Sequence, residues 1–171
     1  MTPPIRRIRA DEGASLRAFR LRALAEAPTA FGSTLARESA FTDATWRERA
    51  ERGASAADSV TFVAEHAGRW VGLATGLAFD PEVPDDPRPE LVAMFVAPEA
   101  RGRALGEALV DAVVDWAKSR RATGLCLWVA AGNAPAIRLY EKCRFRPTGE
   151  EKPLAHSPAL TLIRMARDFA E

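Results

Sequence analysis

The spacing of apolar positions changes several times along the chain, and each change marks an element. "IRRIRA" near the amino end reads as a short strand. In "DEGASLRAFRLRALAEAP" the residues Leu16, Phe19 and Leu24 fall at helical spacing, with Asp11 as N-cap and Pro28 as stop. "AFGSTLARESAF" reads as a looser connection. "TDATWRERAERG" opens on Thr42 and Asp43 as cap candidates and closes on Gly53, so it predicts a second helix. "SVTFVAEH" and "RWVGLATGLAF" are strand-like and are joined by Ala67–Gly68, a hairpin connection. "DPEVPDDPRP", with four prolines and four acids, must be a loop.

The second half is more apolar. "ELVAMFV" is a continuous run, as expected for a strand buried on both faces. The helix after it places Leu105, Leu109, Ala112, Val113 and Trp116 on one stripe. "GLCLWVAA" predicts a second buried strand. "NAPAIRLYEKCRF" predicts a short helix with Ala136, Leu139, Tyr140 and Cys143 on one face, and "RPTGE" and "ALTLIRMA" close the chain as strands. This order predicts an α/β or α+β domain with a mixed sheet over residues 1–171, without internal repeats or a linker. The middle strand–helix–strand predicts a parallel pair, and ligands favour the carboxyl ends of such strands.

Composition narrows the function classes. Apolar residues make up 47% and charged residues 27%, ordinary values for a globular domain. Twenty-four basic residues balance 23 acidic ones, mostly interleaved, for a net charge of +1, which argues against a nucleic-acid footprint. No apolar run has the length of a membrane span, and "MTPPIRRIRADE" lacks the apolar core of a signal peptide. The expectation is a cytoplasmic protein without membrane partners. Cys126 and Cys143 are too few for a disulfide framework. Neither has a partner at metal-ligand spacing, and His66 and His156 are remote from both, so no metal is expected.

Candidate chemistry gathers at "VAPEARGRALG". Past Val96 the chain leaves a strand, turns at Pro98 and starts a helix near Leu105. First-turn amides have no intrahelical acceptors and carry the positive end of the helix dipole, so they suit a pyrophosphate. Gly102 permits positive φ at little cost, and Arg101 and Arg103 add charged donors. Ala104 carries a Cβ, which is tolerated there if its backbone is helical. The alternative is a plain strand-to-helix turn with two exposed arginines. The spacing is neither a Rossmann fingerprint nor a P-loop.

Together, two segments carry a family resemblance. "VAPEARGRALG" resembles the coenzyme-A signature Arg/Gln-x-x-Gly/Ala-x-Gly/Ala of the GNAT superfamily of acyl-CoA N-acyltransferases, with Arg101, Ala104 and Gly106 at its fixed positions. "NAPAIRLYEKCRF" resembles the family's second motif, with matches at Asn133, Ala136, Leu139, Tyr140, Lys142 and Phe145. Arg144 stands where glycine is usual, a departure that concerns the turn after the helix. The resemblance covers roughly residues 60–165. It implies a twisted mixed sheet of about six to seven strands with about four helices and splayed central strands.

The resemblance also implies roles. The pantetheine arm of acetyl-CoA would lie in the splay against Met94, Phe95 and Val96, and the diphosphate on the amides of Arg101, Gly102, Arg103, Ala104, Leu105 and Gly106. Asn133 would contact the pantetheine arm or order the helix start, with Ala136, Tyr140 and Lys142 beside it. Tyr140 would protonate the departing thiolate, its alternative being a core residue with its hydroxyl at the rim. Glu90 is the candidate general base, through water, and Glu65 and His66 are weaker ones. Cys143 lacks anything to lower its pKa as a nucleophile. Phe31 and Trp46 mark the expected acceptor groove, where Asp80, Glu82, Asp85 and Asp86 could attract a cationic amine.

The expected reaction is direct transfer of acetyl from acetyl-CoA to a primary amine of a small molecule. A protein or peptide amine is the alternative acceptor. A coenzyme-A-binding sensor without turnover is the alternative of another class. Dimerisation is common for this fold, and "ALTLIRMA" could pair across an interface or be an ordinary edge strand.

Overall fold

The computed structural model describes residues 1–170. Seven strands form one sheet in the order β1-β2-β3-β4-β5-β7-β6. They are β1 (Ile5–Arg7), β2 (Ser59–His66), β3 (Arg69–Leu77), β4 (Glu90–Val96), β5 (Gly124–Ala130), β6 (Arg146–Leu154) and β7 (Ser157–Asp168). The helices are α1 (Gly13–Glu26), α2 (Leu35–Ser39), α3 (Asp43–Ser55), α4 (Leu105–Ser119) and α5 (Ala134–Lys142). All neighbouring strands are antiparallel except β4 and β5, which are parallel as the strand–helix–strand pattern predicts.

Alternation along β3 assigns the faces. Leu73, Thr75 and Leu77 share a cavity wall with Leu16 of α1 and Trp46 of α3, while Gly72 and Gly76 lie against Leu109 and Trp116 of α4. One helical layer is therefore α1 and α3, and α4 covers the opposite face. The α4 stripe is wider than expected, since Val110, Val114 and Ala117 are buried with Leu105, Leu109 and Val113. At about 25 cal/mol per Å² of apolar surface, such a stripe contributes several kcal/mol to the fold.

Local details correct several expectations. The cap of α1 is Glu12 and not Asp11, and the Glu12 carboxylate accepts from the Arg9 amide and from Arg6 instead of capping the helix. The connection after α1 contains the five-residue α2, opened by Thr34, whose hydroxyl accepts from the Arg37 amide. Thr42 caps α3 as expected, but α3 runs on to Ser55. Gly53 is not its stop. A Cβ there would sit 2.7 Å from the Thr61 hydroxyl, so the glycine lets α3 press onto β2. Ala67 and Gly68 both have positive φ, as a tight two-residue hairpin requires. The strand holding "ALTLIRMA" is not an edge, because β7 lies between β5 and β6. The edge on that side is β6, where Pro147 and Pro153 cost the ladder least.

The central strands separate. Glu90↔Cys126 is the one register pair between β4 and β5, supported by the Cys126 amide donating to Pro89 O at 2.9 Å. Further along β4, Ala93 has φ +56°, and the register against β3 slips between Leu73 and Thr75. This β-bulge bends β4 away from its parallel neighbour. Val92, Ala93 and Met94 are consequently half-exposed, so β4 is not buried on both faces as its apolar run suggests.

Candidate active site

A cavity of about 390 Å³ opens at the splay. Leu91, Val92 and Ala93 of β4 form one wall, and Trp128, Val129 and Ala130 of β5 face them. Glu90 lies at the closed end, where the two strands still pair, and is 8% exposed. Its carboxylate accepts no hydrogen bond from any described residue. Burial, reinforced by the nearby Asp80 charge, pushes its pKa up to about 7. It can therefore hold or release a proton near neutrality.

The loop that follows β4 is shaped for an anion. A 3₁₀ turn spans Pro98–Ala100, and the Arg101 amide is spent on Pro98 O. Gly102 has φ +76°, and Ala104, the α4 N-cap, has φ +56° and ψ +15°. Ala104 is thus left-handed and not helical, a conformation that costs a residue with Cβ roughly 1–2 kcal/mol. The amides of Ala104, Leu105, Gly106 and Glu107 meet no acceptor among the described residues. Such a row of free donors suits a diphosphate, so these residues fit the polar end of acetyl-CoA. Gly106 serves packing, since a Cβ there would lie 3.0 Å from Leu139 of α5. The Arg101 side chain folds back, with Nε donating to Val96 O at 3.1 Å.

Around the splay, Phe95 is 6% exposed and packs edge-on against Phe19, while the Met94 methyl approaches Gly106. Asn133 caps α5, its Oδ1 accepting from the Ala136 amide at 3.3 Å. Ala136 is half-buried on the same helix. Lys142 joins α5 to α4 through Glu107 at 2.6 Å. Tyr140 is 7% exposed, stacks edge-on with Phe145, and its hydroxyl makes no hydrogen bond to a described residue. Burial raises its pKa, so it stays protonated. Tyr140 does not line the cavity that holds Glu90. The Cys143 thiol is pushed up to about 11, also by burial.

Phe31 lines the splay cavity, while Trp46 lines a second cavity of about 290 Å³ behind it. Glu65 pairs with Arg6 and, like His66, lies outside both. Two of the four acids in the loop after β3, Asp80 and Asp86, turn inward, while Glu82 and Asp85 are exposed. Asp80 accepts from Trp128 Nε1 at 2.9 Å, and Asp86 pairs with Arg88 and with the buried Arg164. Glu82 lines the cavity beside Lys152, its ion-pair partner. Arg20, Ser33, Glu38, Arg49, Trp128 and Lys152 are cavity residues that the sequence reading did not single out. They come from six separate elements or loops, so no spacing along the chain connects them.

A profile of the Acetyltransferase (GNAT) family matches residues 21–145. The chain is 42% identical over 66 residues to a mycothiol acetyltransferase of Acidothermus cellulolyticus, which is 39% of this chain and 20% of that protein. It is 39% identical over 63 residues to a putative [ribosomal protein bS18]-alanine N-acetyltransferase of Bacillus subtilis, covering 37% of this chain and 42% of the relative. The matched stretches thus span less than half of either relative. Among solved structures, a ribosomal-protein-alanine N-acetyltransferase from Brucella melitensis superposes with a TM-score of 0.72 at 25% identity, over 97% of this chain and 99% of the other. A putative acetyltransferase from Salmonella typhimurium, solved with acetyl-CoA, has a TM-score of 0.76 at 19% identity, over 100% and 96% of the two chains, and speaks for the fold. With the splayed sheet, the free amides at α4 and a profile that spans most of its length, the chain belongs to the GNAT family of acetyltransferases.

Proposed function

We propose that the chain is an acetyl-CoA-dependent N-acetyltransferase that acts by direct transfer to a primary amine of a small molecule. The observation that carries this reading is Glu90, a buried carboxylate with its pKa near 7, at the closed end of a cavity between splayed strands. A general base works best when its pKa lies near the working pH.

Acetyl-CoA supplies a thioester carbon when its diphosphate rests on the amides from Ala104 to Glu107 and its pantetheine arm follows β4. Glu90 then takes a proton from the acceptor ammonium, directly or through one water, and frees the nitrogen lone pair. A β4 backbone N–H released by the splay polarises the thioester carbonyl. Tyr140, protonated and without a competing partner, gives its proton to the sulfur as it leaves. One N–C bond forms and one C–S bond breaks. The amine's second proton restores the phenol through solvent, and the net products are an amide, a thiol and one proton.

The relatives named for a ribosomal protein bring a peptide amine as the second reading. The cavity volume of about 390 Å³, within the range of small-molecule sites, favours the smaller acceptor. Calorimetric titration with acetyl-CoA, with Arg101→Ala as control, followed by thiol release across an amine panel, tests the proposal. Micromolar binding and amine-dependent thiol release support it. Binding without thiol release from any amine or peptide would leave a sensor in its place.

A further inference from the structure

We infer that the acceptor carries, besides the amine it presents to Glu90, an anionic group of the carboxylate class. This rests on the transfer reading for the amine end and on separate observations for the anion end.

The splay cavity is electrically asymmetric. At one end stand Glu90 and the Glu82–Lys152 pair. At the other, two guanidinium groups share one carboxylate. Arg20 Nε lies 2.8 Å from Glu38 Oε2, and Arg49 Nη1 lies 3.1 Å from Glu38 Oε1. Glu38 is 2% exposed and is held charged by these partners, below the usual carboxylate range despite its burial. Two positive charges against one negative leave a surplus of one cation in this group.

Hydrogen bonding points the same way. Arg20 Nη1 and Ser33 Oγ both belong to cavity residues, are buried, and have no partner among the described residues. A buried donor without an acceptor costs about 1–3 kcal/mol, a cost that an entering oxygen anion removes. Arg20 is fixed over the Phe31 ring at 4.6 Å, so its position is set before any ligand arrives. Arg49 lies over the Phe41 and Trp46 rings, at 4.7 and 5.2 Å, and is 41% exposed at its side chain, so it is held in place and open to an entrant. A planar fork of donors is the arrangement that recognises a carboxylate in two-point fashion. A plain alkylamine would leave this end unmatched, and so would the amino terminus of a peptide.

The test uses matched acceptor pairs, each a free amino acid and its carboxamide, on the whole protein. Two quantities are read: thiol release with acetyl-CoA, and the shift in Tm on adding the acceptor alone. Free acids are expected to exceed their amides at least tenfold in kcat/KM and to give the larger Tm shift. R49Q is expected to collapse that ratio toward one. The R49Q variant keeps Glu38 paired with Arg20, so it is the variant suited to remain folded. Equal behaviour of acid and amide would overturn the anion site and leave transfer intact. An acid-selective Tm shift without thiol from any pair would support the anion site and sink the transfer reading. An unchanged ratio in R49Q, or no Tm shift and no thiol with any pair, would also overturn the anion site.

Discussion

Glu90 stands opposite Cys126 at the one register pair that joins β4 to β5. The hinge of the splay and the candidate base are therefore the same residue. Where the strands remain paired, solvent is excluded and the carboxylate is desolvated. Where they part, the cavity begins. A buried thiol, a buried arginine and a half-buried aspartate reinforce this point, since Arg164 Nη2 lies 3.1 Å from Cys126 Sγ and Arg164 Nη1 lies 2.9 Å from Asp86.

Glu90 should govern two pH profiles. Its pKa is raised in the fold, from 4.5 to about 7, so the native state binds more protons than the unfolded chain between those values. Stability from this group therefore falls as pH rises through that window. Glu90→Gln should raise Tm at pH 8 and change it little at pH 4. In kcat/KM, the acidic limb near pH 7 should disappear and the rate should drop. Tm against pH, measured beside the rate profile, checks both, and a wild-type limb that persists in the variant removes Glu90 as the base.

Tyr140→Phe should keep the edge-on packing with Phe145 and lose only the proton. Loss of a general acid costs about a hundredfold in rate. The expected result is a kcat lower by about that factor with acetyl-CoA affinity within twofold of wild type. Steady-state kinetics and calorimetry separate the two quantities, and an unchanged kcat would return Tyr140 to a packing role.

Arg144 has φ +71° at the end of α5, and the Phe145 amide closes a bond to Tyr140 O at 2.9 Å. This is the helix ending that favours glycine. The Arg144 side chain makes no hydrogen bond to a described residue. Arg144→Gly should therefore raise stability by about 0.5–1 kcal/mol, the left-handed strain less the entropy glycine adds to the unfolded chain. Denaturant midpoints measure this. Ala104→Gly relieves the same strain beside the free amides and should also tighten acetyl-CoA binding.

Arg164 is 1% exposed and joins Asp80, Asp86 and Glu150. Arg164→Met leaves the buried Asp80 and the half-buried Asp86 with less compensation and should destabilise by about 3–5 kcal/mol. The Asp86 pKa is held far down, chiefly by Arg88. The stability it contributes is present above the ordinary aspartate range and is lost as pH falls below it. Arg88 remains in Arg164→Met, so wild type and variant should both lose this contribution as pH falls, which chemical denaturation at stepped pH can follow.

Much of this protein was legible along the chain. Two strand-like runs joined by the Ala67–Gly68 turn located β2 and β3, an unbroken apolar run located β4, and an i, i+4, i+7 stripe located α4, because turn chemistry and burial are written into neighbouring residues. The α4 turn and the α5 motif were readable for the same reason, since a helix start and its ligands are contiguous. Tertiary structure alone decided the rest. The left-handed state of Ala104 depends on how β4 delivers the chain to α4, and nothing in its neighbours announces it. The inward turn of Asp80 and Asp86 depends on Trp128 and Arg164, two residues from strands far along the chain. The Arg20–Glu38–Arg49 cluster joins α1, α2 and α3 across one cavity wall. A charge reads as solvated surface in sequence, and only packing reveals which carboxylates have lost their water.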